Sequence, residues 1–128
     1  MHTILVADDD EGVRKLVTLS LGAAGYTVIS ARNGKDALEL LEREAVDLVI
    51  TDLTMPEMDG KELSAEVRKR YGVPVVLVSG DRKAALRADV LAAADACLLK
   101  PFSIRDLTTT VRLLTLRSGM NELRSRSS

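Results

Sequence analysis

The chain has 128 residues, of which 46% are hydrophobic and 29% are charged, so its composition is that of one globular domain. A formal net charge of -1 provides no positive field to hold nucleic acid or an anionic membrane. Because no apolar run could span a membrane and the N-terminus lacks a signal pattern, we expect a cytoplasmic protein. Cys97 has no cysteine partner for an intrachain disulfide and is expected to be a small buried residue.

Five short apolar runs rich in β-branched residues occur along the chain, and each predicts a buried strand. The runs are TILVA at 3–7, TVISA at 27–31, DLVIT at 47–51, VVLVS at 75–79 and ACLL at 96–99. The segments that follow these runs repeat apolar residues at helical spacing. They predict five helices, with the repeats at 13–21, 37–41, 63–68, 86–91 and 107–114.

The predicted fold is α/β, a doubly wound five-stranded parallel sheet with five helices. Strands that are apolar along their whole length belong in a sheet covered on both faces, and alternating strands and helices give parallel right-handed crossovers. Residues 1–116 are predicted to form one domain. Residues 117–128 lose the periodicity and are predicted to be a frayed tail or an extension of the last helix. The dispersed arginines of this tail favour a solvated terminus over a nucleic-acid-binding arm.

Four consecutive acids, at positions 8–11, follow the first predicted strand, where neighbouring negative charges repel one another. In a doubly wound sheet the loops after the carboxyl ends of the strands meet at one edge, and ligands bind there. Asp8 and Asp9 follow the first strand, while Asp52, Ser79 and Lys100 stand at the ends of the third, fourth and fifth. We therefore expect these five side chains to share one crevice.

Three carboxylates without histidine or cysteine form the kind of all-oxygen site that suits a hard divalent cation such as Mg²⁺. Such a cation would offset the repulsion between the acids. The hydroxyl of Ser79 and the ammonium of Lys100 are suited to contact the oxygens of an incoming phosphoryl group. In a purely structural alternative the acids cap a helix and interact with its dipole, and we assign Asp10 and Glu11 to that role.

The segments LVADDD, DLVITDLTMPEMDG, VVLVSG and LLKPF, in this order and spacing, resemble the receiver domains of bacterial two-component response regulators. The resemblance covers residues 3 to about 116 and implies the flavodoxin-like receiver fold. It also implies a phosphorylation-controlled signalling switch. Such a domain is not an enzyme on external substrates and catalyses only its own phosphoryl transfer and dephosphorylation.

The resemblance also implies roles for particular residues around the acids. Asp52 would be the phosphoacceptor, taking a phosphoryl group from the phosphohistidine of a sensor histidine kinase or a histidine phosphotransfer protein. Mg²⁺ would be bound by Asp9, by Asp52 and by the backbone carbonyl of Thr54, with Asp8 acting through water. Gly60 matches the glycine that leads from the loop after the acceptor into the next helix.

The resemblance implies further roles for residues of the fourth and fifth strands, and at one position the sequence differs from the family pattern. Lys100 would pair with the acceptor carboxylate and then with the phosphoryl oxygens, and a cis peptide is implied before Pro101. Ser79 would move its hydroxyl to the phosphoryl group. Cys97 stands where the family usually has a Tyr or Phe that rotates inward. We expect Cys97 to be a buried strand residue, with the signal carried by backbone and loop shifts, against the alternative of a redox-tuned thiol.

The fifth helix is the last predicted element. We therefore expect the signal to pass to a downstream protein partner or a detached output domain. A homodimer stays open, and neither nucleic acid nor a membrane is an expected direct partner. One alternative is a Mg²⁺-dependent phosphohydrolase of the haloacid dehalogenase type. Such an enzyme has an acid where this chain has Thr54, and it carries a cap insertion. A flavodoxin-like binding module is a further alternative, but no strand-to-helix loop offers a glycine-rich phosphate cradle.

Overall fold

A computed structural model describes the chain from residue 2 to residue 127, with side chains described for residues 2–116. The strands are β1 (Thr3–Ala7), β2 (Thr27–Ala31), β3 (Leu48–Asp52), β4 (Val75–Ser79) and β5 (Ala96–Leu99). The helices are α1 (Glu11–Ala23), α2 (Gly34–Arg43), α3 (Gly60–Arg70), α4 (Arg82–Ala85), α5 (Ala88–Ala93) and α6 (Ile104–Ser127).

The five strands form one parallel sheet in the order β2-β1-β3-β4-β5, which confirms the predicted doubly wound architecture. The order reverses between β1 and β3, so a crevice opens beyond the carboxyl ends of these two strands. In their register Ala7 lies opposite Thr51. The residues that follow, Asp8 and Asp52, therefore come level with each other at the mouth of the crevice.

The register of the sheet is fixed at its opposite end by two aspartates in equivalent positions. The backbone N–H of Asp47 donates to the carbonyl of Thr3 at 2.8 Å, and its carboxylate accepts the N–H of Thr3 at 2.7 Å. Asp95 makes the same pair of bonds with Val75, both at 2.9 Å. Each aspartate thus pairs with both the N–H and the C=O of the first residue of a neighbouring strand. A buried backbone group without such a partner would destabilise the fold.

The hydrophobic core has two layers, one on each face of the sheet. Ile4 and Val6 of β1 pack with α1 and α6, while Leu5 and Ala7 of the same strand pack with α2 and α3. This alternation buries β1, β3 and β4 on both faces, which explains their uninterrupted apolar sequences. The edge strands β2 and β5 are only partly buried, so the prediction of fully buried strands is wrong for these two.

The predicted fourth helix is divided into two short helices, so residues 2–127 contain six helices and not five. Leu86, the residue after α4, is 60% exposed, and Arg87 has an extended backbone (φ -64°, ψ 139°) before α5 begins. The guanidinium of Arg87 bonds the carboxylate of Asp89 at 2.7 Å, and Lys61 of α3 bonds the same carboxylate at 2.9 Å. These exposed ion pairs lie at the break, and apolar spacing alone does not reveal its position.

The last helix is α6, and its side chains are described as far as residue 116. The predicted tail over 117–128 lies outside the described side chains, so the division into a domain over 1–116 and a tail stays a prediction. Among the described residues, no helix is both long enough and apolar enough to cross a membrane.

Candidate functional site

Three carboxylates converge at the crevice between β1 and β3. Asp8 and Asp9 follow β1 directly, and Asp52 is the last residue of β3. One carboxylate oxygen of each residue lies within 4.8 Å of the others. Asp8 is 2% exposed and Asp52 is 9% exposed, whereas Asp9 is open to solvent. The sheet therefore brings together the three acids that the sequence singled out.

Lys100 directly follows the edge strand β5, and its side chain contacts two of these acids. Its ammonium lies 3.2 Å from Oδ2 of Asp8 and 3.3 Å from Oδ2 of Asp52. Its backbone N–H donates to the carbonyl of Ser79 at 2.8 Å, and the peptide to Pro101 is cis, as the resemblance implied. One ammonium cannot balance three carboxylates, so the site keeps an excess of negative charge that would attract a cation.

Burial of the Asp52 carboxylate, and then the negative charge of Asp8, raise the pKa of Asp52 above its ordinary value. The ammonium of Lys100 and the N–H of Thr54, which lies 3.4 Å from Oδ1 of Asp52, act in the opposite direction but do not cancel that effect. For Lys100, burial acts to lower the pKa, but the charges of Asp52 and Asp8 give a net increase. The pocket thus disfavours the ionised form of Asp52 and favours the charged form of Lys100.

Asp8 is held by hydrogen bonds on every side. Its Oδ1 accepts the backbone N–H of Asp10 at 2.9 Å, and its Oδ2 lies against Lys100. Its own backbone N–H donates to the carbonyl of Ala31 at 3.2 Å, and its carbonyl accepts from Nη1 of Arg14 at 2.6 Å. Arg14 was not among the residues predicted from the sequence, because in the helical pattern it is an ordinary polar residue and its contact with Asp8 depends on how the chain turns at the acidic loop.

The interpretation of Asp10 and Glu11 as helix-capping acids is confirmed. The carboxylate of Asp10 accepts the backbone N–H of Val13 at 3.2 Å, and Glu11 lies in the first turn of α1. The four consecutive acids are thus divided between two tasks. Asp8 and Asp9 face the crevice with Asp52, while the next two acids stabilise the amino end of α1.

The hydroxyl of Ser79 is directed into the loop that follows β4. Its Oγ accepts the backbone N–H of Asp81 and donates to the carbonyl of Asp81, both at 3.0 Å. Ser79 is 2% exposed, and in this arrangement it makes no hydrogen bond to the three acids among the described side chains. The carboxylate of Asp81 caps α4 by accepting from the N–H groups of Lys83 and Ala84, at 2.9 Å and 3.3 Å.

Gly60 closes the loop after β3 against the backbone of Asp52 and Leu53. Its N–H donates to the carbonyl of Leu53 at 2.8 Å, and it is the first residue of α3. A Cβ at this position would lie against the carbonyl oxygen of Asp52 and 2.8 Å from Cα of Leu53. Glycine is therefore needed for this close approach, and Gly60 leads into the next helix as the resemblance implied.

Cys97 is only partly buried, which corrects the expectation of a buried strand residue. It lies on the edge strand β5 and packs beside the buried cluster of Leu53, Leu77 and Val90. A strand at the edge of the sheet has a neighbour on one side only, so its side chains are less covered. Burial raises the pKa of the thiol, which disfavours the thiolate that a redox-tuned cysteine requires.

Asp52→Asn is expected to increase the stability of the metal-free protein at neutral pH, and this difference should shrink as the pH falls. Because its pKa is raised, the folded state binds the proton of Asp52 more tightly than the unfolded chain does, so ionisation destabilises the fold. The difference should close between the raised pKa and the ordinary value of 3.8. Urea unfolding of both proteins across this range, with a chelator present, measures it. If the difference in stability widened towards acid pH, the pKa of Asp52 would not be raised in the folded protein.

Comparisons with known proteins agree with this geometry. The family model described as "Response regulator receiver domain" matches residues 4–112. A probable transcriptional regulator ycf27 from Porphyridium aerugineum is 36% identical over 115 residues, covering 89% of this chain and 48% of the relative. The transcriptional regulatory protein GlrR of Escherichia coli is 48% identical over 77 residues, covering 59% of this chain and 17% of the relative. The chain thus spans about half of the first relative's length and less of the second's.

Solved structures give the same result. The response regulator TrrA of Thermotoga maritima, in complex with Mg(2+)-BeF, has a TM-score of 0.82 and 32% identity, covering 89% of this chain and 99% of TrrA. The chemotaxis protein CheY4 of Vibrio cholerae has a TM-score of 0.83 and 30% identity, covering 89% of this chain and 98% of CheY4. With the family match over residues 4–112, these likenesses show that the chain belongs to the response regulator receiver domains of two-component systems, a family of signalling switches and not of classical enzymes.

Proposed function

We propose that Asp52 is the phosphoacceptor of this receiver domain and that its phosphorylation switches the domain between two signalling states. The observation that carries the proposal is the position of the buried Asp52 carboxylate among charged side chains. Asp52 lies at the end of β3, next to the carboxylates of Asp8 and Asp9 and in contact with the ammonium of Lys100. The donor would be the phosphohistidine of a sensor histidine kinase or a histidine phosphotransfer protein, and the location would be the cytoplasm.

In the transfer step a carboxylate oxygen of Asp52 attacks the phosphorus atom of the donor. An O–P bond forms, the P–N bond to the histidine breaks, and the imidazole nitrogen leaves with the electron pair. Lys100 is placed to follow the negative charge, because its ammonium already contacts Asp52 and can donate to the phosphoryl oxygens. Hydrolysis of the acyl phosphate in the same pocket is also part of the proposal: water attacks the phosphorus, the bond between phosphorus and the Asp52 oxygen breaks, and the carboxylate and inorganic phosphate are released.

The donor set fits Mg²⁺, since three carboxylates with excess negative charge and no nitrogen or sulfur ligand suit a hard cation. Asp9, Asp52 and the backbone carbonyl of Thr54 would bind the ion directly. Asp8 would act through water, which agrees with the engagement of both its carboxylate oxygens by Asp10 and Lys100. When bound, the ion would neutralise charge on the transferring phosphoryl group. The Mg(2+)-BeF complex of the similar TrrA protein supports this part of the proposal.

The switch would run through Ser79 and the loop after β4. For its hydroxyl to reach the phosphoryl group, Ser79 must give up the two hydrogen bonds that it shares with Asp81. Because Asp81 also caps α4, the change would be passed to α4 and α5. In this region Leu86 after α4, Leu91 of α5 and Leu99 of β5 are 60%, 51% and 40% exposed, a surface suited to a downstream protein partner or an output domain. A homodimer would be an alternative form of output.

Amide hydrogen exchange with and without beryllofluoride and Mg²⁺ tests this function. Beryllofluoride mimics a phosphoryl group on a carboxylate, so we expect slower exchange around Asp52 and altered exchange in residues 80–99. Asp52→Asn is the matched control and should respond at neither place. Changes confined to the acidic pocket would overturn the route through Ser79, and a wild-type protein without any response would overturn the acceptor site itself.

A further inference from the structure

Arg14 reaches from the second turn of α1 back to the acidic loop. Its Nη1 donates to the backbone carbonyl of Asp8 at 2.6 Å, and the contact is partly buried. A guanidinium donor makes this a charge-assisted hydrogen bond, which is stronger than one between neutral groups. The helix holds Arg14 in place, because the backbone N–H of Arg14 donates to the carbonyl of Asp10, the capping residue of α1, at 3.0 Å.

The carbonyl that Arg14 binds belongs to the peptide unit between Asp8 and Asp9. Rotation of this planar unit would change φ of Asp9 and thus the direction in which its side chain leaves the backbone. The side chain of Asp8 is fixed independently by Asp10 and Lys100, whereas the carboxylate of Asp9 is open to solvent. The placement of the Asp9 carboxylate therefore depends on its backbone more than on neighbouring side chains.

We infer that Arg14 is a positioning residue for the cation site: it fixes the peptide between Asp8 and Asp9 so that the Asp9 carboxylate meets those of Asp8 and Asp52. The inference rests on the proposed Mg²⁺ site. A positioning role and a purely electrostatic role of Arg14 predict opposite effects of its removal on cation binding. If Arg14 acted only as a nearby positive charge, its removal would strengthen cation binding. As a positioning residue, its removal weakens binding, because the ligands are no longer held together.

Mg²⁺ titration of the full chain, followed by calorimetry and by the shift in melting temperature at constant ionic strength, separates the two effects. Arg14→Met retains an unbranched apolar side chain but loses the donor, and we expect it to bind Mg²⁺ about tenfold more weakly, as is typical when a group that orients a metal ligand is lost. Lys15→Met is the matched control, because Lys15 is the exposed neighbour and carries the same charge. Its affinity should equal or exceed that of the wild type.

Arg14→Lys provides a second variant, since an ammonium can still donate to the Asp8 carbonyl, and it should recover part of the lost affinity. Melting of each variant without metal shows that it is folded. Equal or tighter binding by Arg14→Met than by Lys15→Met would overturn the inference while leaving the cation site intact. A wild-type protein that does not bind Mg²⁺, or an Asp9→Ala variant that binds as well as the wild type, would instead overturn the proposed site.

Discussion

Asp52→Asn is expected to abolish phosphoryl addition, whereas the wild-type protein incubated with acetyl phosphate and Mg²⁺ should gain the mass of one phosphoryl group. The substitution preserves the shape of the side chain and keeps an oxygen that can accept from Lys100 or Thr54. It removes the negative charge and the second oxygen, so the side chain can no longer attack phosphorus. Intact-mass spectrometry of the two proteins under identical conditions measures the difference.

Asp10→Asn is the matched control for this experiment. Asp10 belongs to the same run of acids, but its carboxylate caps α1 and asparagine is an equally good capping residue. This variant should accept the phosphoryl group as the wild type does. Phosphoryl addition to Asp52→Asn in the same amount as to the wild type would show that the acceptor is another residue. Omitting Mg²⁺ should reduce addition to the wild type, because the acids then repel the incoming group.

The parts of the site that could be predicted from the sequence are those that depend on the ends of buried strands. Strands β1, β3 and β4 are covered on both faces, so their apolar runs are unambiguous, and the polar residue at or just after the end of each run marks the edge of the sheet. Asp8 directly follows β1 and Asp52 ends the neighbouring strand β3 in the same register, which is why their carboxylates converge. Lys100 could be placed for the same reason, since it directly follows β5.

Features that depend on contacts between distant segments could not be predicted in this way. At the break around Arg87, the carboxylate of Asp89 pairs with Lys61, which belongs to a different helix. Partial exposure of Cys97 follows from the position of β5 at the edge of the sheet, and strand order cannot be read from apolar periodicity. Arg14 lies on the helix pattern as an ordinary polar residue, and only the turn of the chain at the acidic loop gives it a partner.

Gly60→Ala is expected to destabilise the protein by about 1–3 kcal/mol, the usual cost of forcing an extra group into a packed site. The added methyl would press on the backbone of Asp52 and Leu53. That backbone cannot easily recede, because the N–H of Leu53 donates to the carbonyl of Val78 at 2.8 Å and the hydroxyl of Thr51 donates to the carbonyl of Asp52 at 3.0 Å. Displacement of Asp52, the proposed acceptor, should also slow phosphorylation, since a shift of about 1 Å can reduce a rate about a hundredfold.

Equilibrium urea unfolding of Gly60→Ala and Gly22→Ala tests the steric explanation, with phosphorylation by acetyl phosphate as a second measurement. Gly22 lies within α1, and a Cβ there would meet no atom within 4 Å. The same substitution at that position should therefore stabilise the protein by about 0.5–1 kcal/mol, because alanine favours helix over glycine. If Gly60→Ala lowers the free energy of unfolding while Gly22→Ala raises it, the loss of stability at Gly60 comes from contact with the backbone of Asp52 and Leu53. If Gly60→Ala were as stable and as rapidly phosphorylated as the wild type, this close approach would not be what positions Asp52.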